Sequence, residues 1–220
     1  MSKDISPPVL LFDFDGTVSL GHGPVLAYAR HIAEATGHHS IYHTAEQMLS
    51  TNDAALAKYR DGYDLVRSLA ADCDVPEDSC QQAYMASREN LANTGITAPE
   101  GLAELLSTYP GRAILATNSP ETGLAEALKV LGLSSSFDVI YTRLGKPKGL
   151  TRILDADFSD KAANTVIGFG DIWDFDLAPV DAFGGRTVLL ETPFATPADA
   201  DPTWRVQRVT DIFSELSSAH

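Results

Sequence analysis

The sequence predicts an α/β protein: a parallel sheet flanked by helices and interrupted near its start by an all-helical insert. Three observations carry this reading. The run Val9-Leu10-Leu11-Phe12 is apolar without alternation, as expected of a strand buried on both faces. Between residues 20 and 95 helical periodicity persists and no β-rich run occurs. From residue 96 onward, short apolar runs alternate with amphipathic stretches, which requires crossover connections and hence parallel pairing. The chain is thereby divided into a core domain of residues 1–19 and 96–220 and a helical domain of residues 20–95.

Each element has its own signal. Residues 1–8 read as a lead-in ending in Pro7-Pro8, and the first strand then runs into Asp13-Phe14-Asp15-Gly16-Thr17. Gly21, Gly23 and Pro24 mark a joint. Pro24 suits the opening of a helix that presents Val25, Tyr28 and Ile32 on one face and closes at Gly37. Helical patterns follow near 44–58 and 62–71, and from Pro76 to Asn93 with Glu77 and Asp78 in the first turn, where the helix dipole favours acids. His38, His39 and His43 read as a polar loop, and Tyr59, Tyr63 and Tyr84 as core or rim of the insert. A short helix over 99–108 precedes a second strand over 112–116. Ser119 as N-cap and Pro120 as first residue are expected to open the next helix, which carries Leu124, Leu128 and Leu131 and ends at Gly132. A third strand over 137–141, a helix around 150–154, a fourth strand over 165–169, a helix over 176–183 and a fifth strand over 187–190 complete the alternation. A last helix over 209–216 packs on the sheet.

Composition narrows the function classes. A chain of 220 residues, 44% hydrophobic and 21% charged, is that of a soluble globular protein with a real core. A net charge of −14 argues against nucleic acid, whose phosphates demand Lys and Arg. No apolar run is long enough to span a bilayer and the N-terminus lacks a signal-peptide core, so neither membrane nor export is expected and a cytoplasmic location is. Cys73 and Cys80 match no zinc spacing and are expected to stay reduced.

The chemistry sits at strand ends. Positions two apart on a strand face one side, so Asp13 and Asp15 are expected to share a site at the carboxyl end of the first strand, where open α/β sheets bind ligands. Two adjacent carboxylates repel unless a cation or proton lies between them, and oxygen-only ligands of this kind suit Mg²⁺. The other strands end at Thr117, at the loop carrying Lys146, and at Asp171. Taken singly, each has a plainer role as turn, cap or solvated charge. In a parallel sheet, however, all these ends lie along one edge. Arg143, Lys146, Lys148 and Arg152 add a basic patch that could focus an anion there. His22, between two glycines, reads as a hinge spacer.

Asp13-Phe14-Asp15-Gly16-Thr17, the Thr117 strand end, Lys146-Pro147 and Gly170-Asp171-Ile172-Trp173-Asp174-Phe175-Asp176 resemble the four motifs of the haloacid dehalogenase (HAD) superfamily, over roughly residues 9–190. The helical insert is similar to the α-helical cap of the phosphoglycolate phosphatase-like branch. The resemblance implies a Rossmann-like core and Mg²⁺-dependent hydrolysis of a small soluble phosphomonoester. Asp13 would be the nucleophile. Asp15 would be the acid and base, with its backbone carbonyl on the ion. Thr117 and the amide of Asn118 would bind phosphate, together with Lys146. Asp171 would complete the metal shell and Asp176 would orient it or Lys146 from behind. The family pattern favours Lys146 over Lys148 and Asp176 over Asp174. A phosphosugar mutase would use the same aspartates, and a phosphoryl-accepting signalling domain or an inert binding protein is the alternative from another class. The expected partner is a small phosphorylated molecule, with the chain a monomer or homodimer.

Overall fold

Strand β1 (Val9–Phe12) lies inside a six-stranded sheet in the computed structural model, which describes residues 7–158 and 165–218. Residues 1–6 of the expected lead-in fall outside the described residues. The other strands are β2 (Ala113–Ala116), β3 (Val139–Tyr141), β4 (Val166–Gly170), β5 (Arg186–Leu190) and β6 (Trp204–Val206). They run in the order β3-β2-β1-β4-β5-β6, and every neighbouring pair is parallel.

The unalternating sequence of β1 has a direct cause. Leu10 and Phe12 pack into one apolar cluster with Leu115 and Phe169, while Val9 and Leu11 pack into another with Ile114 and Val166. Both faces of the strand are therefore covered by apolar groups, so neither register of the pleat can be polar. Phe12 lies opposite Phe169 in register, their rings stacked at 4.4 Å. The strand order reverses at β1: the chain goes on to β2 and β3 on one side and returns to β4 on the other. Such a switch opens a crevice beyond the strand's carboxyl end.

The five expected strands are present, and β6 is an addition. Its three residues pair with Val188, Leu189 and Leu190, and so short a run has no period to read. Helices α1 (Gly23–Thr36), α2 (His39–Thr51), α3 (Gly62–Asp72) and α4 (Glu77–Glu89) fill the insert and share an apolar cluster that includes Tyr28, Ile32, Leu49 and Leu65. Gly37 (φ 79°) ends α1, its N–H donating to the carbonyl of Ala33. The helix expected over 44–58 is two pieces, because Asn52 (φ 49°) stops α2 and Asp53 caps a short 3₁₀ turn, Ala54–Lys58. His39 and His43 lie on α2 rather than in a loop. Where the chain leaves the sheet and where it returns, Leu20 and Thr97 form an antiparallel bridge.

Helices α5 (Leu102–Thr108), α6 (Leu124–Val130), α7 (Lys148–Phe158), α8 (Ala178–Ala182) and α9 (Phe213–Ser218) complete the fold. One expectation fails here. Ser119 does not cap the helix after β2: α6 starts only at Leu124, after Gly123, and the Ser119 hydroxyl is bonded to Asp15 and Arg88 instead. A Cβ on Gly123 (φ 73°) would lie 2.0 Å from the Arg88 carbonyl, so this residue lets the segment before α6 lie against the end of α4. Among the described residues no helix is long and apolar enough to cross a membrane.

Candidate active site

Asp13 sits one residue beyond β1 and is still held by the ladder, its N–H donating to the Phe169 carbonyl at 2.9 Å. Its carboxylate is buried and accepts from Lys146 Nζ through Oδ1. The same ammonium donates to Asp176 Oδ1 at 2.5 Å, and Asp176 Oδ2 accepts from the Ile172 N–H at 3.1 Å. The loop carrying Lys146 is pinned in turn, because its backbone N–H donates to the side-chain oxygen of Asn118 at 2.6 Å. Lys148 and Asp174 are exposed, whereas Lys146 and Asp176 are buried in the crevice. Asp176 reaches it from a single π turn, Trp173–Leu177, that precedes α8.

Asp13, Asp171 and Asp176 each bring a carboxylate oxygen within 4.8 Å of the others. Among the described residues Lys146 is the one cation paired with them, so three ionised carboxylates here would carry more negative charge than is offset. Asp171 Oδ1 is buried with no hydrogen-bond partner. Burial, with Asp176 and Asp13 adding repulsion, holds the Asp171 carboxyl well above the usual carboxylate range. Burial likewise pushes Asp13 up to about 7, against the pull of Lys146 and with Asp176 adding to the rise. For Lys146, burial disfavours the charged form, but Asp13 and Asp176 outweigh it and hold the ammonium above its ordinary value. An all-oxygen set with surplus negative charge and an orphaned oxygen fits a hard divalent cation such as Mg²⁺. Gly16 (φ +86°) belongs to this arrangement: a Cβ there would lie 2.4 Å from Asp171 Oδ2.

Asp15 is turned elsewhere. It shares the cavity with Asp13, but each acid has its own cation. Asp15 Oδ1 accepts from Arg88 Nη1 at 3.0 Å and Tyr63 Oη at 3.3 Å. Its Oδ2 accepts from Ser119 Oγ at 2.5 Å and Arg88 Nη2 at 3.3 Å. Arg88 also donates to Tyr63 Oη at 2.8 Å and Ser119 Oγ at 3.0 Å, and it is wholly buried. The sequence reading missed Arg88, Tyr63 and Ser119 as partners of Asp15. Arg88 stands in the last turn of α4, where a cation is unremarkable because it complements the helix dipole.

Thr117 is buried at the end of β2, its Oγ1 accepting from the Ser119 N–H at 3.0 Å, and it lines the cavity with Asn118. The expected basic patch is not assembled at the site. Of its four members only Lys146 lines the cavity. Helix α7 buries Leu150, Leu154 and Phe158, which leaves Lys148 and Arg152 in solvent, and Arg143 is exposed. His22 reaches the cavity, where burial favours its neutral form. The cavity, about 450 Å³, lies between the crevice and the insert. Cys73 and Cys80 are free thiols.

No family model and no curated protein sequence matches the chain. Solved structures do. A Clostridium difficile protein described as a phosphatase superposes with a TM-score of 0.68 at 17% identity, over 96% of this chain and 99% of that one. YfnB of Bacillus subtilis, described as a HAD hydrolase and solved with magnesium, gives 0.66 at 16% identity over 96% and 99% of the two chains. The L-2-haloacid dehalogenase of Xanthobacter autotrophicus gives 0.61 at 14% identity over 97% and 100%. The parallel six-stranded sheet and these full-length superpositions agree: the chain has the fold of the haloacid dehalogenase superfamily hydrolases.

Proposed function

We propose that the chain is a Mg²⁺-dependent hydrolase of small phosphomonoesters, working through an aspartyl phosphate on Asp13, with residues 20–95 as a cap over the site. The observation that carries this reading is the acid trio Asp13, Asp171 and Asp176 around Lys146, with the buried Asp171 Oδ1 left without a partner. A dehalogenase has no evident use for such a cation site, whereas phosphoryl transfer concentrates negative charge that needs one.

Asp13 and Asp171 would hold the ion, with the backbone carbonyl of Asp15. When bound, Mg²⁺ supplies charge compensation for the phosphoryl oxygens. Lys146 binds Oδ1 of Asp13, which leaves Oδ2 to attack phosphorus in line. The P–O bond to the substrate breaks, and Asp15, which takes up a solvent proton once it leaves its donors, gives that proton to the departing alkoxide. Lys146 and Thr117 steady the transferred group. Asp15 then takes a proton from water as that water attacks phosphorus, releasing inorganic phosphate and restoring Asp13. To exchange a proton, Asp15 must give up one of its four donors. Arg88 and Tyr63 come from the insert, so seating of the insert and freedom of Asp15 are linked. Free thiols suit a cytoplasmic setting.

The test is phosphate release from a panel of phosphomonoesters, with and without Mg²⁺. Metal-dependent release that vanishes in Asp13→Asn is expected. Equal turnover in that variant, or halide release from haloacids without phosphatase activity, overturns the reading. Interconversion of sugar phosphates with little release would make it a mutase.

A further inference from the structure

Beyond the phosphate end, the cavity has an unusual wall. Tyr63 of α3 and Tyr84 of α4 line it from the insert, edge to face with centroids 5.7 Å apart and ring planes at 84°. Phe175, in the turn after β4, and Phe194, in the loop after β5, line it from the sheet. All four line the cavity and are only partly buried. Four aromatic rings from four separate elements thus converge on a space beside Asp13.

Charge in this outer part is already matched. Arg60 lies over the Phe175 ring at 4.7 Å and is paired with Asp61 at 3.3 Å and Asp64 at 3.7 Å. Arg67 is paired with Glu77. Arg88 is committed to Asp15 and Lys146 to Asp13 and Asp176. Every cation at the cavity among the described residues therefore has a carboxylate partner. A second anionic group on the substrate would meet Asp61, Asp64 and Glu77 beside these arginines, in a chain of net charge −14. Tyr63 has no spare proton to offer a substrate either, since its Oη donates to Asp15 while accepting from Arg88.

We propose that the site is built for phosphomonoesters of neutral aromatic alcohols, the ring stacking in this chamber while the phosphate meets Asp13. This rests on the hydrolase reading above. In the reaction the P–O bond breaks, the aromatic alcohol departs with a proton from Asp15, and water completes the phosphate. Offset or edge-on ring contacts favour an aromatic body over a saturated one of equal size, and Asp61, Asp64 and Glu77 offset the pull of Arg60 and Arg67 on a carboxylate tail.

The test compares benzyl phosphate with cyclohexylmethyl phosphate, which has a similar size and leaving group but no π face, and with phosphoglycolate. A kcat/KM at least about fivefold higher for the benzyl ester is expected from aromatic contacts. Phosphoglycolate should be poorer still. In Phe175→Leu, and separately in Tyr84→Leu, the benzyl-to-cyclohexylmethyl ratio should fall toward one. The ratio is taken within one preparation, so partial unfolding of a variant does not alter it. Equal rates for the two ring esters, or phosphoglycolate turned over as well as either, overturn the inference while leaving the hydrolase reading intact. If no ester releases phosphate, the hydrolase reading fails. Calorimetric binding of benzylphosphonate against cyclohexylmethylphosphonate then decides the chamber: tighter benzyl binding supports it and equal binding overturns it.

Discussion

Replacing Arg88 by methionine removes the guanidinium that grips Asp15 while keeping most of the side-chain volume. The Arg88 side chain is 1% exposed and that of Asp15 is 24% exposed. Breaking a fully buried pair by deleting one partner costs about 3–5 kcal/mol, because the remaining charge is stranded. Asp15 keeps its bonds from Ser119 and Tyr63 and some access to water, so the expected loss is about 2–3 kcal/mol, below that range. Asp15→Asn removes the opposite charge at constant shape, and the double variant closes a thermodynamic cycle. Urea denaturation of the four proteins in excess chelator should give a coupling energy of about 2 kcal/mol. The matching cycle of Arg67→Met and Glu77→Gln is the control: the pair joins side chains 50% and 64% exposed, and an exposed pair is worth under about 1 kcal/mol. A coupling for Arg88 and Asp15 no larger than in this control would refute the argument that the insert is anchored through a desolvated ion pair.

Other outcomes follow from the acid cluster. Asp171→Asn removes a buried, partly unpartnered carboxylate, so it should stabilise the metal-free protein while raising the Mg²⁺ concentration needed for activity more than tenfold. The first is read from melting curves without metal, and the second from phosphate release over a Mg²⁺ titration. Gly16→Ala would put a Cβ 2.4 Å from Asp171 Oδ2 at a φ of +86°, and it should abolish the Mg²⁺-induced rise in Tm even if the protein still folds. The pH dependence has a definite sign. Asp13 and Asp171 keep their protons in the metal-free fold to higher pH than in the unfolded chain, Asp13 up to about 7. The native state therefore binds more protons, and their contribution to stability falls as pH rises from the ordinary carboxylate value of about 4 through the folded values. Mg²⁺ displaces those protons, so its stabilising effect should be larger above pH ~7 than below pH ~5. A Mg²⁺-induced shift in Tm that does not vary with pH would contradict the placement of these carboxyls at the ion.

Much of the fold was legible because burial leaves a one-dimensional trace. A strand covered on both faces cannot alternate, so Val9–Phe12, Ala113–Ala116 and Val166–Gly170 stand out as apolar runs. Helix ends were readable where a single residue dictates backbone conformation, as at Pro24 and Gly37. The break at Asn52 was not readable, since a left-handed residue other than glycine carries no obligatory signal. Nor was the three-residue β6, which exists because Val188–Leu190 offers it an edge.

The division at the site is sharper. Asp13, Thr117, Lys146 and Asp171 follow apolar strands in order, and parallel topology alone brings such ends to one rim. That much the amino-acid order determined by itself. Which acid meets which cation was a matter for the tertiary structure. Ser119 looks like a helix cap and Arg88 like a dipole-matching helix end, yet both close on Asp15, from positions 104 and 73 residues away along the chain. Likewise Arg143, Lys148 and Arg152 cluster in sequence around Lys146 but stay outside the cavity, because α7 turns its leucines inward. Local patterns report the period of burial along one element. The pairing of charges depends on how two elements are set against each other, and no spacing within either one encodes it.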